Sequence, residues 1–156
     1  MVKKTIKTDK ILSAFRVLNT AKYAKMDDAD KIKVWKIARA LKPVADKFDD
    51  ASKDAAEKLK PSEDFADKLQ KAQEFERMRN ANEDMTKAPI GAAEYNEFIK
   101  EFKNYRKLVD DAIKEFADKE VEVEFEPITE AAFGKLISSN DWDMSMVMEI
   151  GSLVLE

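Results

Sequence analysis

The sequence contains no cysteine and no histidine among its 156 residues. Without cysteine, the chain has no disulfide, no thiol nucleophile and no cysteine-based zinc site. Without histidine, it lacks the side chain that most often shuttles protons and most often binds transition metals. Only three glycines and four prolines are present, which argues against a loop-rich or all-β fold. These absences exclude several large classes of enzyme and metalloprotein.

The sequence also lacks any run of about twenty apolar residues, so we expect no transmembrane helix. Only short apolar groups follow the basic N-terminus, which is not typical of a secretory signal. We therefore expect a cytoplasmic protein. The length suits a single domain, 1–156, that is long enough to bury a core. Its 44% apolar and 38% charged residues are typical of amphipathic helices with wide solvated faces.

The most regular pattern lies between Ala92 and Asp118, where apolar residues recur at alternating spacings of three and four. These are the a and d spacings of a coiled coil, and they predict a helix with one buried seam. We place Phe102 at the centre of this seam, with Leu108 widening it. The seam residues are Tyr95, Phe98, Phe102, Tyr105, Val109, Ala112 and Phe116.

A second helix is predicted over 28–59, because its apolar residues repeat the same spacing. Ile32 and Trp35 are assigned to the margin of this second seam. Pro43 lies inside the pattern and removes one backbone hydrogen bond. The seam stays in phase through it, so we predict a kink and not a break.

The period changes to two at residues 120–126, where acidic and apolar residues alternate up to Pro127. This alternation predicts a half-buried strand. Its partner should be residues 152–155, after a last helix ended by Gly151, or a second copy of the chain. Residues 1–7 are expected to be frayed. The carboxylates of the strand share one face and form a candidate partner-facing edge: Glu120, Glu122, Glu124 and Glu126.

The fold expected from these elements is mainly α. It is a helical bundle built on a long antiparallel hairpin of helices 28–59 and 92–118, with a small C-terminal β element. A third helix is predicted over 62–80, and the alternative that it continues helix 28–59 through a kink stays open. The bundle should occupy about residues 8–118, and the strand and short helices about 119–156.

Charge is distributed unevenly along the chain. Residues 1–60 hold 16 basic and 9 acidic residues, and the remainder holds 12 basic and 23 acidic. The two halves either face each other, within one molecule or between copies, or the basic half contacts nucleic acid. The candidate nucleic-acid contacts lie on the second helix: Lys31, Lys33, Lys36, Arg39 and Lys42.

No catalytic chemistry emerges from the remaining residues. The acidic clusters lack the ligand spacing and the glycine of a calcium loop. A serine nucleophile would need a lysine base, and no spacing suggests one. The glycines are isolated and form no phosphate-binding loop. We therefore assign no catalytic, cofactor-binding or metal-binding residue, infer no small-molecule substrate, and expect no enzyme and no cofactor.

The order of these features resembles that of small helical proteins encoded by tailed phages and prophages. The resemblance covers most of the chain and is carried by three stretches: Lys36-Ile37-Ala38-Arg39, the strand 120–126 with Pro127-Ile128, and the turn Ser138-Ser139-Asn140-Asp141-Trp142. It implies an assembly or accessory role in a host cytoplasm or a virion, and no chemistry. The protein partner would be a phage structural protein or the chain itself, with nucleic-acid regulation as the alternative.

Overall fold

A computed structural model describes all 156 residues and shows a mainly helical protein with one small antiparallel sheet. The predicted fold class is therefore confirmed. A short 3₁₀ turn, Met85–Lys87, precedes the fourth helix. The other elements are β1 (Val2–Lys7), α1 (Thr8–Thr20), α2 (Asp28–Lys58), α3 (Phe65–Asn80), α4 (Ala92–Asp118), β2 (Glu120–Phe125), α5 (Glu130–Ser139) and α6 (Met144–Val154).

The chain forms two compact units, each with its own buried core. Unit 1 comprises Met1–Asp50 and Glu115–Glu156, and unit 2 is the continuous segment Ala51–Lys114. This division differs from the expected one near residue 118. The reason is that the C-terminal strand and helices share a core with the N-terminal segment.

The charge asymmetry of the sequence largely disappears when charges are counted by unit. Unit 1 holds 15 basic and 18 acidic residues, and unit 2 holds 13 basic and 14 acidic residues. The basic N-terminal and acidic C-terminal segments fold into the same unit. Two ion pairs join basic residues of the first segment to acidic residues of the second, Lys3 to Glu122 at 3.4 Å and Lys33 to Glu126 at 3.3 Å. The two halves of the sequence therefore do not correspond to two oppositely charged units.

The sheet consists of β1 and β2 paired antiparallel, with Val2 opposite Phe125. Two predictions are wrong here. Residues 1–7 form a strand and are not frayed, and β2 does not pair with residues 152–155, which complete and cap α6. Burial in β1 alternates with the same period of two as in β2, which fixes the register. The less exposed residues of β1 are Val2, Lys4 and Ile6.

Lys4 explains how a lysine-rich segment forms a half-buried strand. Its ammonium group donates to the backbone carbonyls of Ser152 at 3.0 Å and Leu153 at 3.1 Å, and also to that of Leu155. The last carbonyls of a helix lack intrahelical partners, and the helix dipole favours a cation there. Burial lowers the pKa of Lys4. A single charged side chain thus ties β1 to the end of α6.

Thr8 closes the sheet at the point where β1 passes into α1. Its backbone N–H and its hydroxyl both donate to the carbonyl of Lys119, each at 2.8 Å. Thr8 is the only buried polar residue of the chain. Its two donors are therefore satisfied without water, as buried polar groups require.

The core of unit 1 collects apolar side chains from every one of its helices and from β2. On α2 the buried positions recur at spacings of three and four, as predicted. The helix begins after Asp27, whose carboxylate accepts the N–H of Asp30 at 2.9 Å and pairs with Lys135 at 3.3 Å. Those two donors lower the pKa of Asp27. The largest fully buried core residues are Ile11, Val34, Ile37, Leu41, Leu136, Ile150 and Val154.

The prediction that α2 continues through Pro43 is confirmed. α2 ends at Lys58 and α3 begins at Phe65, so residues 28–80 form two helices and not one. Pro61 lies in the turn between them. The open alternative of a single kinked helix is therefore wrong.

The turn after α5 holds the loop between α1 and α2. The Asn140 side chain accepts the N–H of Lys22 at 2.8 Å and donates to the carbonyls of Lys22 and Leu136 at 2.8 and 2.9 Å. The Ser139 hydroxyl accepts the N–H of Lys25 at 3.0 Å. These bonds give the Ser-Asn pair a structural role.

The prediction that Gly151 ends the last helix is wrong, because Gly151 lies inside α6. A Cβ atom at this position would lie 3.0 Å from Cε1 and 3.2 Å from Cζ of the Phe133 ring. The close approach of α5 and α6 therefore depends on the missing side chain. Gly134, on the exposed side of α5, has nothing within 4 Å of an added Cβ.

The variant Gly151→Ala is expected to lower the free energy of unfolding by about 1–2 kcal/mol, because overpacking outweighs the better helix propensity of alanine. The matched control, Gly134→Ala, should raise it by up to about 1 kcal/mol. Urea denaturation of both variants measures the difference. A more stable Gly151→Ala protein would show that the Phe133 ring moves aside freely.

Unit 2 is organised around the ring of Phe65 at the start of α3, which is 3% exposed. Its ring centroid lies 4.7 Å from that of Tyr105, 5.6 Å from that of Phe98 and 6.3 Å from that of Phe102. Phe102 is only partly buried. The centre of the aromatic cluster is thus a residue of α3 and not Phe102, the predicted centre.

The predicted seam of α4 is confirmed, since none of its seam residues is exposed. The assignment of Leu108 to the margin of this seam is wrong, because Leu108 is 45% exposed. The Tyr105 hydroxyl donates to the carbonyl of Ala56 at 2.6 Å and joins α4 to the end of α2 within unit 2. This contact joins the two helices of the predicted antiparallel hairpin, and the rest of the hairpin stays a prediction.

Candidate functional site

The most unusual surface of unit 1 is the outer side of α2, where two large apolar side chains are exposed. Ile32 is 53% and Trp35 is 56% exposed, so their assignment to the margin of the buried seam is wrong. The guanidinium carbon of Arg39 lies 5.3 Å from the centre of the Trp35 ring, in a cation–π contact. We call the residues Ile32, Trp35, Lys36 and Arg39 the Trp35 face.

The five basic residues predicted as nucleic-acid contacts do not act as one group. Lys31 pairs with Asp28 at 3.2 Å, Lys42 with Asp46 at 2.7 Å and Lys33 with Glu126 at 3.3 Å. Lys36 and Arg39 have no carboxylate within 4 Å. The free cations of the group are therefore the two that belong to the Trp35 face.

The four carboxylates of the predicted edge, three in β2 and Glu126 directly after it, are all exposed, as predicted. The structure surrounds them with cations of the same unit, since Lys3 lies opposite Glu124 and Lys7 opposite Glu120 in the sheet. Glu122 and Glu126 form ion pairs with Lys3 and Lys33. Their use as a partner-facing edge stays a prediction, and the row is less free for a partner than its sequence suggests.

Unit 2 carries a groove of about 280 Å³ that sequence analysis did not identify. Phe98 and Ile90 supply its apolar lining. The remaining lining side chains are charged: Asp64, Asp67, Lys68, Lys71, Glu94, Glu97 and Glu101. We call this the unit 2 groove. The sequence signal that could have revealed it is the row Glu94, Glu97 and Glu101, which the spacing places on one side of α4.

The charges of the unit 2 groove divide into paired and unpaired groups. On α3, Lys71 pairs with Asp67 at 3.0 Å and Lys68 with Asp64 at 3.8 Å. The three glutamates of α4 have no basic side chain within 4 Å. The groove therefore presents uncompensated negative charge beside an apolar floor.

Comparison with protein-family models, curated proteins and solved structures finds no match to this chain. The assignment of a function therefore depends on its own surfaces. No group of three or more Asp or Glu side chains is arranged to hold a metal ion. None of the helices combines the length and the apolar character needed to cross a bilayer.

Carboxylates with a lowered pKa all have structural partners. The hydroxyl and then the backbone N–H of Thr86 lower the pKa of Asp84, which caps the 3₁₀ turn. Arg77 lowers the pKa of Glu74 through a hydrogen bond of 2.6 Å. These carboxylates serve caps and ion pairs. The pKa pattern thus identifies no acid–base pair of the kind that general catalysis uses.

Two further exposed apolar side chains lie on α6, where Met144 is 70% and Met148 is 68% exposed. They are four residues apart and therefore neighbours on one side of the helix. Methionine adapts to many apolar surfaces. No charged pair accompanies them, so they define the chemistry of a partner less sharply than the Trp35 face does.

Proposed function

We propose that this chain is a non-enzymatic protein of the kind encoded by tailed phages and prophages, and that it acts through protein contacts made by its helices. The observation that carries the proposal is the Trp35 face, with its exposed indole beside a free arginine on a long helix. Tryptophan and arginine are the residues most enriched at the energetic centres of protein interfaces. The resemblance in element order supports the phage assignment.

The partner is a phage structural protein or a second copy of the chain, and the place of action is the host cytoplasm or the virion. Gene neighbourhood tests the phage assignment without any purification. Adjacent tail or capsid genes would support it, and adjacent repressor-like genes would support a regulator of nucleic acid.

Nucleic-acid binding is the second candidate, favoured by the free cations of Lys36 and Arg39 beside an indole on which a base could stack. Three of the five candidate basic residues are engaged by carboxylates, however. The electrostatic part of such binding grows with the number of phosphates neutralised. Two free cations therefore support only weak, nonspecific binding, with a Kd of about 10⁻⁴ M or weaker at physiological salt.

The proposal is tested by affinity purification of a tagged chain, co-expressed with an untagged copy and treated with nuclease. We expect a protein partner to co-purify with the wild type and to be lost with Trp35→Ala. The control Leu108→Ala removes an exposed apolar side chain of unit 2 and should retain the partner. The proposal fails if no protein depends on Trp35. In a parallel purification without nuclease, recovery of nucleic acid that depends on Lys36 and Arg39 would establish the second candidate instead.

A further inference from the structure

We propose that the Trp35 face docks into the unit 2 groove of a second copy, so that copies of the chain join head to tail. This inference rests on the proposed function and names the partner. It follows from three properties of the two surfaces: their spacing, their charge and their apolar centres.

The spacing of the two surfaces matches. The Trp35 face uses positions 32, 35, 36 and 39 of α2, and the α4 side of the groove uses positions 94, 97, 98 and 101. Both sets follow the i, i+3, i+4, i+7 pattern by which a helix docks in a groove. At 1.5 Å per residue each set spans about 10.5 Å. A helix of one copy can therefore lie along the groove of another with its contacts in step.

The charges of the two surfaces are complementary and unused. Lys36 and Arg39 lack carboxylate partners, and Glu94, Glu97 and Glu101 lack basic partners, whereas the charges around them are engaged. Complementary free charges of this kind guide encounter and fix register. The carboxylates of β2 are a poorer target for the same cations, because lysines of their own unit lie beside them.

The centre of each surface is apolar. Trp35 projects from α2 with more than half of its surface exposed, and the groove of about 280 Å³ offers the partly buried Ile90 together with the 5% of Phe98 that remains exposed. Burial of an indole against an apolar side chain such as Ile90, with charged groups at the rim, is the arrangement of an interface hot spot. The indole supplies affinity, and the charged rim supplies orientation.

The two surfaces lie on different parts of the chain, so the contact is heterologous. A contact of this type produces closed rings or open chains rather than a symmetric dimer. The groove accommodates only about two turns of helix, which makes the interface small and the association weak. We therefore expect oligomers whose size rises with protein concentration and falls with salt.

Sedimentation velocity of the purified full chain over a range of concentrations, at low and high salt, tests the inference. The wild type should form oligomers that shrink at high salt. Trp35→Ala should raise the association Kd about thirtyfold, the size of one hot spot. Arg39→Glu and Glu97→Arg should each abolish association alone. Leu108→Ala should behave as the wild type, and circular dichroism verifies that each variant is folded.

Mixing the two charge-reversal variants gives the decisive result. The groove of Arg39→Glu and the Trp35 face of Glu97→Arg are both intact, so the mixture should recover complexes that neither variant forms alone. The inference is overturned if the wild type stays monomeric, or if the mixture does. If a Trp35-dependent partner is captured while the chain stays monomeric, the proposed function stands and only the identity of the partner is wrong. If neither affinity capture nor sedimentation shows a partner that depends on Trp35, both are wrong.

Discussion

Replacement of Phe65 by alanine is expected to lower the free energy of unfolding of unit 2 by about 3–5 kcal/mol, the usual loss for a buried aromatic side chain. The ring is 3% exposed and contacts Phe98, Phe102 and Tyr105. Its removal deprives three other rings of their common neighbour. Phe102→Ala should cost less, because Phe102 is only partly buried.

Chemical denaturation measures this loss, and amide hydrogen exchange in α3 and α4 shows that it occurs in unit 2. The matched control is Leu108→Ala on α4, which changes an apolar side chain that is 45% exposed. That variant should stay within about 0.5 kcal/mol of the wild type. Equal effects of Phe65→Ala and Leu108→Ala would show that the aromatic cluster is not the core of unit 2.

Replacement of Phe125 by alanine is expected to destabilise unit 1 by about 3–5 kcal/mol. Phe125 is 2% exposed and lies opposite Val2 in the sheet. Its neighbour Glu124 points to the other side of the strand and is exposed. Glu124→Ala should therefore change the stability by less than about 0.5 kcal/mol.

This pair of variants tests the register of the sheet as well as the burial of one ring. A slip of one residue would move every side chain of β2 to the opposite face. The two variants would then exchange their effects in urea denaturation. Rapid amide exchange throughout residues 2–7 and 120–125 would contradict the pairing itself.

Local patterns predicted most of the helices. The spacing of Val34, Ile37 and Leu41 identified α2, and the period of two identified β2. Helix caps are local in the same way: Thr129 accepts the N–H of Ala132 and begins α5. Such signals depend on residues within a few turns of one another, and a single sequence contains them directly.

The partner of β2 was not predictable in this way, because it lies at the other end of the chain. The lysines of β1 also concealed its alternation, since a lysine that reaches helix carbonyls is a charged residue facing inward. Long-range pairing leaves no local mark in either segment. The N-terminal and C-terminal segments also share one core, which depends on contacts of the same long range.

The Trp35 face could have been found from helix geometry. At 3.6 residues per turn, Trp35 lies about 100° or more around the axis from each of Val34, Ile37 and Leu41. Its apolar character led to its assignment to the seam, although the angle placed it outside. The unit 2 groove was less accessible to prediction, because it requires the packing of α3 against α4.

The sheet has a consequence for the order in which the protein folds during synthesis. Thr8 and its partner Lys119 are separated by 111 residues, and all of unit 2 lies between them in the chain. The ribosome therefore completes unit 2 before it has made any of β2, and domains generally fold as they emerge. β1 must wait throughout with its backbone groups unpaired. Lysine side chains protect a strand in that condition from pairing with other chains, so we expect the lysines of β1 to keep the nascent chain soluble until its partner arrives.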